Sequence, residues 1–451
     1  VLVNFVPRPL RIAVIGSGVT GLSAAWLLAT RHQVTLYESA PRLGGHSNTV
    51  VVDCADGRVP VDTGFIVYNE LTYPNLVAMF DFLGVRTVGS DMSFGVSMNR
   101  GALEYCGSGL GGLFAQKRNL ARPQFWSMIR DLVRFYRTAK ADTRDLSGMT
   151  LDAYLDEGRY SRAFRDLHLY PMAAAIWSTP AGRMGDYPAE AFIRFCRNHR
   201  LLELGERPRW RTVEGGSREY VEKLAALIGK DIRLATPVRQ IVRRENAVDV
   251  HDATGGQETF DHVVLATHAD LSLEMLADAD PMERRILGAF RYSQNRAILH
   301  KDERLMPRRR RVWSSWNYIA EASDFDQRPP SVTYWMNALQ KPATRENIFV
   351  SLNPVREARD ELMVREFSYD HPIFDSAALA AQPEVWSLQG RRNTWFCGAW
   401  MGSGFHEDGL QAGLAVGEAL GGVRRPWDVE EESGRVVVGP PPDLAGAELT
   451  S

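Results

Sequence analysis

The sequence predicts an α/β protein, a discontinuous Rossmann-like domain carrying an inserted α+β domain. Three observations predict it. A strand–turn–helix–strand unit with a G-x-G-x-x-G turn occupies residues 12–38. A second glycine-rich strand-to-helix turn lies near the other end, at residues 395–413. Between them stand long segments of helical and strand-like pattern, so the outer domain must draw on distant stretches of chain.

The first unit opens on the apolar run Ile12–Ile15. It turns through Gly16-Ser17-Gly18-Val19-Thr20-Gly21, continues as an apolar helical pattern, and ends its second strand at Glu38, 22 residues after Gly16. Gly16 permits the sharp turn out of the strand. Gly18 lets a pyrophosphate approach the backbone, and Gly21 lets helix and sheet pack closely. The helix N-terminus offers unpaired N–H groups to phosphate. Glu38 can accept hydrogen bonds from a ribose diol. Strand, helix, second strand and acid all fall in register, which points to a dinucleotide.

Arg42-Leu43-Gly44-Gly45-His46 adds a second glycine pair that NAD binding does not need. It fits a chain passing beside the second part of a larger cofactor. Asp62-Thr63-Gly64-Phe65 follows. The segment 71–204 reads as largely helical: Pro74–Leu83 and Phe125–Ala139 both carry apolar residues at helical spacing. Thr236-Pro237-Val238 precedes two expected strands, Gln240–Val250 and His262–Ala266, of an inserted antiparallel unit. In 271–384, Arg296–His300, Val332–Met336 and Ile348–Leu352 read as strands. The buried strand Trp395–Cys397, a glycine-rich loop and a helix from about Glu407 close the pattern. The domains are therefore expected at 10–70, 205–270 and 385–423 (nucleotide-binding) and at 71–204 and 271–384 (substrate). Residues 424–451 form a C-terminal tail, frayed beyond Gly434.

The composition excludes several classes. Apolar residues make up 45% of the 451 and charged residues 24%, as in an ordinary globular protein. A net charge of −2 leaves no footprint for nucleic acid. Cys54, Cys106, Cys196 and Cys397 lie far apart without C-x-x-C, so neither a metal site nor a disulfide framework is expected and a reducing cytoplasm is the default. No signal peptide or spanning helix is read. The helix around Phe125–Tyr136 carries Arg122, Arg130, Arg134 and Arg137, with Lys117 and Arg118 upstream. It is a candidate peripheral membrane contact, set against ordinary core packing with a solvated basic face.

These motifs together resemble the FAD-dependent amine oxidoreductase superfamily, the flavin monoamine oxidase-like proteins. A closer resemblance rests on Val61–Asn69, Ser90–Phe94, Pro171–Pro180 and Phe405–Gly413. It is to a subgroup of NAD/FAD-binding proteins found beside cyclopropane-fatty-acid synthase-like methyltransferases. The resemblance implies a GR2-type FAD domain and an amine oxidase-like architecture. FAD would be held by Gly16, Ser17, Gly18, Val19, Thr20, Gly21, Glu38, Arg42, Gly44, Gly45, His46, Thr63, Gly64, Phe65, Val238, Gly398, Glu407, Asp408, Gly409, Leu410 and Gln411. The stretch Phe367–Phe374 has no cysteine, so the FAD is expected to be noncovalent. The usual Arg after the glycine pair is His46, and Ser293–His300 has no Lys at the flavin.

An FAD-dependent oxidoreductase is the expected enzyme, with flavin doing the redox chemistry and the protein placing a C–H bond against N5. Tyr68, His300 and His406 are the candidates for proton handling or charge stabilisation. Trp177, Tyr334, Trp335, Trp400 and Phe405 are expected to wall the substrate cavity. For each aromatic, core packing is the competing reading. The association with lipid methyltransferases favours an unsaturated or methyl-branched acyl substrate, in a desaturase or double-bond isomerase, with a methyltransferase as partner. The alternatives are an oxidase of a small or natural-product amine, and an FAD-binding accessory protein without turnover.

Overall fold

The computed structural model describes residues 8–202, 208–321 and 329–440. Its first domain is built on a five-stranded parallel sheet. The strands run, in spatial order, Ile232–Arg233, Gln33–Tyr37, Arg11–Ile15, His262–Leu265 and Thr394–Phe396. Parallel strands are covered on both faces, so they read as continuous apolar runs rather than alternating ones. Accordingly Ile12, Ala13, Val14, Val263, Val264 and Leu265 are all fully buried.

The helix Val19–Ala29 covers the sheet and is itself crossed by the last helix, His406–Gly421. The two approach so closely that a Cβ on Gly413 would fall 2.3 Å from the Thr20 carbonyl oxygen. This contact joins the beginning of the domain to its end.

His262–Leu265 differs from expectation. It does not extend the antiparallel unit, which is a three-stranded meander of Val238–Arg243, Val248–Asp252 and Gln257–Phe260. Instead it takes a place in the parallel sheet beside Arg11–Ile15. A run of apolar residues, buried on both faces, suits that position and not a half-exposed meander.

The second domain centres on a seven-stranded mixed sheet in the order Met363–Ile373, Arg291–His300, Phe349–Leu352, Ser331–Trp335, Trp316–Ala320, Phe94–Met98, Leu103–Cys106. The last two strands come from the segment expected to be helical. Helices Pro123–Ala141, Arg162–Phe164, Tyr170–Trp177 and Ala189–Asn198 build an aromatic core of Phe125, Phe135, Phe164, Trp177 and Phe192. The helix Pro74–Leu83 has its expected bounds.

Residues 424–440 are docked rather than frayed; 441–451 lie outside the described residues. Trp427 stacks on Trp26 with centroids 5.7 Å apart. Arg425 is 2% exposed and bonds Glu418 and Asn75. Val436 is buried and the Trp386 indole N–H donates to Pro440. These apolar and ionic anchors outweigh the Pro/Gly composition that suggested fraying. Among the described residues no helix is long and apolar enough to cross a membrane.

Candidate functional site

One cavity of about 1040 Å³ runs from the first glycine turn into the second domain. That is at the upper end of the size of small-molecule sites, about 300–1,000 Å³.

Its first end is lined by Gly16, Ser17, Gly18, Val19, Thr20, Glu38 and Ser39. Gly18 caps the helix Val19–Ala29, whose first turn holds no acid, so the positive helix end faces the cavity unopposed. The Glu38 carboxylate accepts from the Ser17 backbone N–H (2.9 Å) and hydroxyl (2.5 Å) and from Ala40 N–H (2.8 Å). That pins the acid beside the turn. A Cβ on Gly45 would lie 3.1 Å from the Gly18 Cα, so the two glycine loops touch backbone to backbone. Gly21 does not line the cavity. Its Cβ would sit 1.8 Å from the Gly16 carbonyl oxygen, which places it in the turn's own packing.

The middle is walled by Gly44, Gly45, His46, Thr63, Gly64, Phe65, His268, Tyr292, Gly398, Trp400, Phe405 and His406. His406 stacks flat on Phe65, 3.6 Å between centroids and 8° between planes. Its Nε2 bonds the Tyr220 hydroxyl at 2.8 Å and the Ser47 hydroxyl at 3.0 Å. Burial lowers its pKa to about 3, so the ring is neutral at pH 7 and can stabilise charge only as a hydrogen-bond donor, not as a cation. The first turn of His406–Gly421 carries Glu407 and Asp408, which oppose the positive end of that helix. His46 is also held neutral, first by burial and then by repulsion from His371 and His268. A guanidinium in its place would have put a fixed charge in this wall.

The far end is apolar and aromatic, with Met92, Phe94, Tyr136, Met172, Ile176, Trp177, Trp316, Tyr334, Val350 and Leu352. Trp400 donates its indole N–H to the Thr267 carbonyl and lies 4.6 Å from Phe290. Phe405 packs on Phe195 and His199.

Several expected residues lie elsewhere. His300 is wholly buried: its Nε2 meets the Ser351 hydroxyl at 2.8 Å and its Nδ1 accepts from Asp302 N–H. Both ring nitrogens are taken and it does not line the cavity. Tyr68 packs edge-on against Phe80 and Tyr73, outside the cavity wall. Trp335 points to the face opposite Tyr334, as strand alternation requires, and bonds Asn347. Val238 and Arg42 are not cavity residues; Arg42 donates to the Leu43 carbonyl.

Of the last helix only His406 reaches the cavity, so Glu407, Asp408, Gly409, Leu410 and Gln411 stand behind it. Glu407 accepts from Asn75 N–H and Leu76 N–H (both 3.0 Å), capping the helix Pro74–Leu83. Asp408 accepts from Phe405 N–H at 2.7 Å. Both hold the loop that carries Phe405 and His406. Cys54, Asp56 and Glu346 lie close enough together to share an ion, but none lines the cavity and Lys301 and Thr344 already bond the acids.

Sequence reasoning missed His371, Tyr369 and His268, all in the cavity wall. His371 is the most elaborately held. Its Nδ1 meets the Ser178 hydroxyl at 2.9 Å and accepts from Asn295 Nδ2 at 3.3 Å. With Nδ1 accepting, the proton of the neutral ring is on Nε2. Burial lowers its pKa to about 4. Ser178 occupies the left-handed region, φ 53°, a conformation costly for a non-glycine residue and common at functional sites. The findable signal was period two: Tyr369 and His371 share one face of the strand Met363–Ile373.

The residues present suit a two-part dinucleotide. The glycine-lined helix N-terminus fits a pyrophosphate, Glu38 a ribose, and the flat His46–Phe65–His406 region a ring system. None of the four cysteines lines the cavity, so none is placed for attachment.

Comparison with known proteins agrees. A model of the flavin containing amine oxidoreductases matches residues 19–299. A putative flavin-containing monoamine oxidase of Mycobacterium tuberculosis is 26% identical over 260 residues, 56% of each chain. The chain thus spans about half the length of that relative. Among solved structures, putrescine oxidase bound to putrescine superposes with a TM-score of 0.66 at 15% identity, over 92% of this chain and 99% of that one. A conjugated-linoleic-acid-producing fatty acid isomerase from P. acnes gives 0.63 at 17%, over 90% and 98%. At these identities the structural matches speak for the fold.

Proposed function

For this chain, which belongs to the flavin-containing amine oxidoreductase family, we propose an FAD-dependent enzyme that moves hydride between an apolar substrate C–H and flavin N5. The substrate class we assign is an unsaturated or methyl-branched acyl chain, as in a desaturase or double-bond isomerase. The observation that carries this reading is the continuity of the cavity. Its glycine-lined end is continuous with an end lined mainly by Met, Leu, Ile, Val and aromatic side chains, with Asp91, His168 and Arg211 among them, reaching Tyr136 on the basic helix. Such a mainly apolar lining offers an acyl chain burial, with a few polar side chains to orient its head. The fold shared with a fatty acid isomerase supports it further.

FAD, when bound, supplies a two-electron acceptor at N5. The chain's own residues do the rest. Gly16–Thr20 and Glu38 bind the nucleotide half. His406, stacked on Phe65 and bonded to Tyr220 and Ser47, would help wall the ring end of the cofactor. Trp177, Ile176, Met172 and Tyr334 exclude water and orient the chain. His371, fixed by Ser178 and Asn295, offers an Nε2–H donor to a group in the cavity.

A second reading, oxidation of a small amine, is favoured by one observation: Asp370 lines the cavity beside His371 and would suit a cationic substrate. Anaerobic mixing of the FAD-loaded protein with acyl lipids and with amines separates the two by which class bleaches the flavin absorbance. Product analysis detects an isomerase, which leaves no lasting bleach. Bleaching by amines alone, with acyl lipids unchanged, would overturn the acyl reading.

A further inference from the structure

Part of the cavity lining, at Gly107 and Ser108, is exposed beside a stretch that is both apolar and basic. Leu110, Leu120 and Trp126 are 75%, 52% and 48% exposed. They form one patch. The Trp126 indole N–H donates to the Leu120 carbonyl at 2.9 Å, its ring meets Phe114 at 5.2 Å, and Phe114 lies one helical turn from Leu110, to whose carbonyl its N–H donates.

The charged residues of this stretch of chain have one sign. Residues 107–130 contain Lys117, Arg118, Arg122 and Arg130 and no Asp or Glu. Arg118 and Arg122 donate to backbone carbonyls at residues 101 and 102, which orients them without cancelling their charge. Among the described residues, Lys117, Arg118 and Arg122 pair with no carboxylate; Arg130 alone meets one, Asp131. Exposed Gly107 and Ser108, just before Leu110, line the cavity.

We propose that this face docks on an anionic lipid surface and holds the opening at Gly107–Ser108 against the bilayer. Leu110, Leu120 and Trp126 would enter the headgroup layer while the cations meet lipid phosphates. A Trp with its apolar ring outward and its N–H satisfied suits that interface. An acyl chain could then pass from membrane to cavity without crossing water. The inference rests on the acyl reading above, but its test does not require turnover.

The test is co-sedimentation of the FAD-loaded protein with vesicles of mixed phosphatidylglycerol and phosphatidylcholine, or of phosphatidylcholine alone. Wild type is expected to pellet with the anionic vesicles and to bind the neutral ones at least about tenfold more weakly. Leu110→Glu/Trp126→Glu and, separately, Lys117→Glu/Arg118→Glu should each lower anionic binding about tenfold or more, with melting temperature and flavin absorbance unchanged. Failure of wild type to bind anionic vesicles would overturn the proposal. So would undiminished binding by both variants, or a change confined to self-association. If vesicles bind but acyl lipids are never turned over, the substrate reading falls and the docking stands.

Discussion

Replacing Gly18 with alanine separates cofactor binding from folding. Gly18 has φ −62° and ψ 176°, which any residue adopts, and an ideal Cβ there meets no protein atom within 4 Å. The added methyl points into the cavity wall at the helix N-terminus. The apoprotein should change in stability by less than about 1 kcal/mol, the scale of a helix-cap substitution. A methyl forced against a close-fitting ligand costs about 1–3 kcal/mol. That corresponds to FAD affinity weakened by about 5- to 150-fold. The assay is a fluorescence titration of apoprotein with FAD beside a urea denaturation of the same sample. Gly21→Ala is the contrast: its Cβ would lie 1.8 Å from the Gly16 carbonyl oxygen, so it should fail to fold whether or not FAD is supplied. FAD binding by Gly18→Ala within about twofold of wild type would refute the assignment of this turn to the pyrophosphate.

Other expectations follow from the same geometry. His371→Ala should slow flavin reduction by substrate at least tenfold while leaving FAD affinity within about threefold, read by stopped-flow absorbance; equal reduction rates would remove His371 from the chemistry. Tyr68→Phe and Trp335→Phe, lying outside the cavity, should leave that rate within about twofold. Glu407→Ala strands Asn75 N–H and Leu76 N–H and should lower stability by about 2–4 kcal/mol in urea denaturation. Burial lowers His199 and His406 to about 3 and His300 and His371 to about 4, from 6.5. Below pH 6.5 the unfolded chain therefore takes up protons that the native state refuses, and stability falls as pH falls. Near pH 5 the slope from these four groups approaches about 5 kcal/mol per pH unit. Asp62, raised to about 6 by burial, acts in the opposite sense and offsets about 1.2 of it. Equal urea midpoints at pH 7 and pH 5 would contradict this.

The nucleotide half was legible because its chemistry is written locally. Gly16 to Glu38 spans one strand–helix–strand unit, and each residue acts on its chain neighbours. The seven-stranded sheet was legible only in pieces. Nothing near Phe94–Met98 announces that it pairs in parallel with Trp316–Ala320, more than 200 residues away. His371 was invisible for the same reason: its importance comes from Ser178 and Asn295, which only the tertiary fold brings to it. His300 and Tyr68 misled because a polar residue on or near a strand looks alike whether it faces a cavity or a satisfied interior. Glu407 and Asp408 misled by proximity, since adjacent positions on a helix point about 100° apart.

The central sheet has a consequence for how the protein is made. Its first strand, Arg11–Ile15, lies one strand from Thr394–Phe396, with His262–Leu265 between them. During synthesis the early βαβ unit emerges with its phosphate turn already shaped but with no wall beyond it. The loop bearing Phe405 and His406 leaves the ribosome long after that unit. Tight capture of FAD therefore waits for that loop. Until then, the naked face of the helix Val19–Ala29, which Gly413 will later cover, is the surface a chaperone would have to shield.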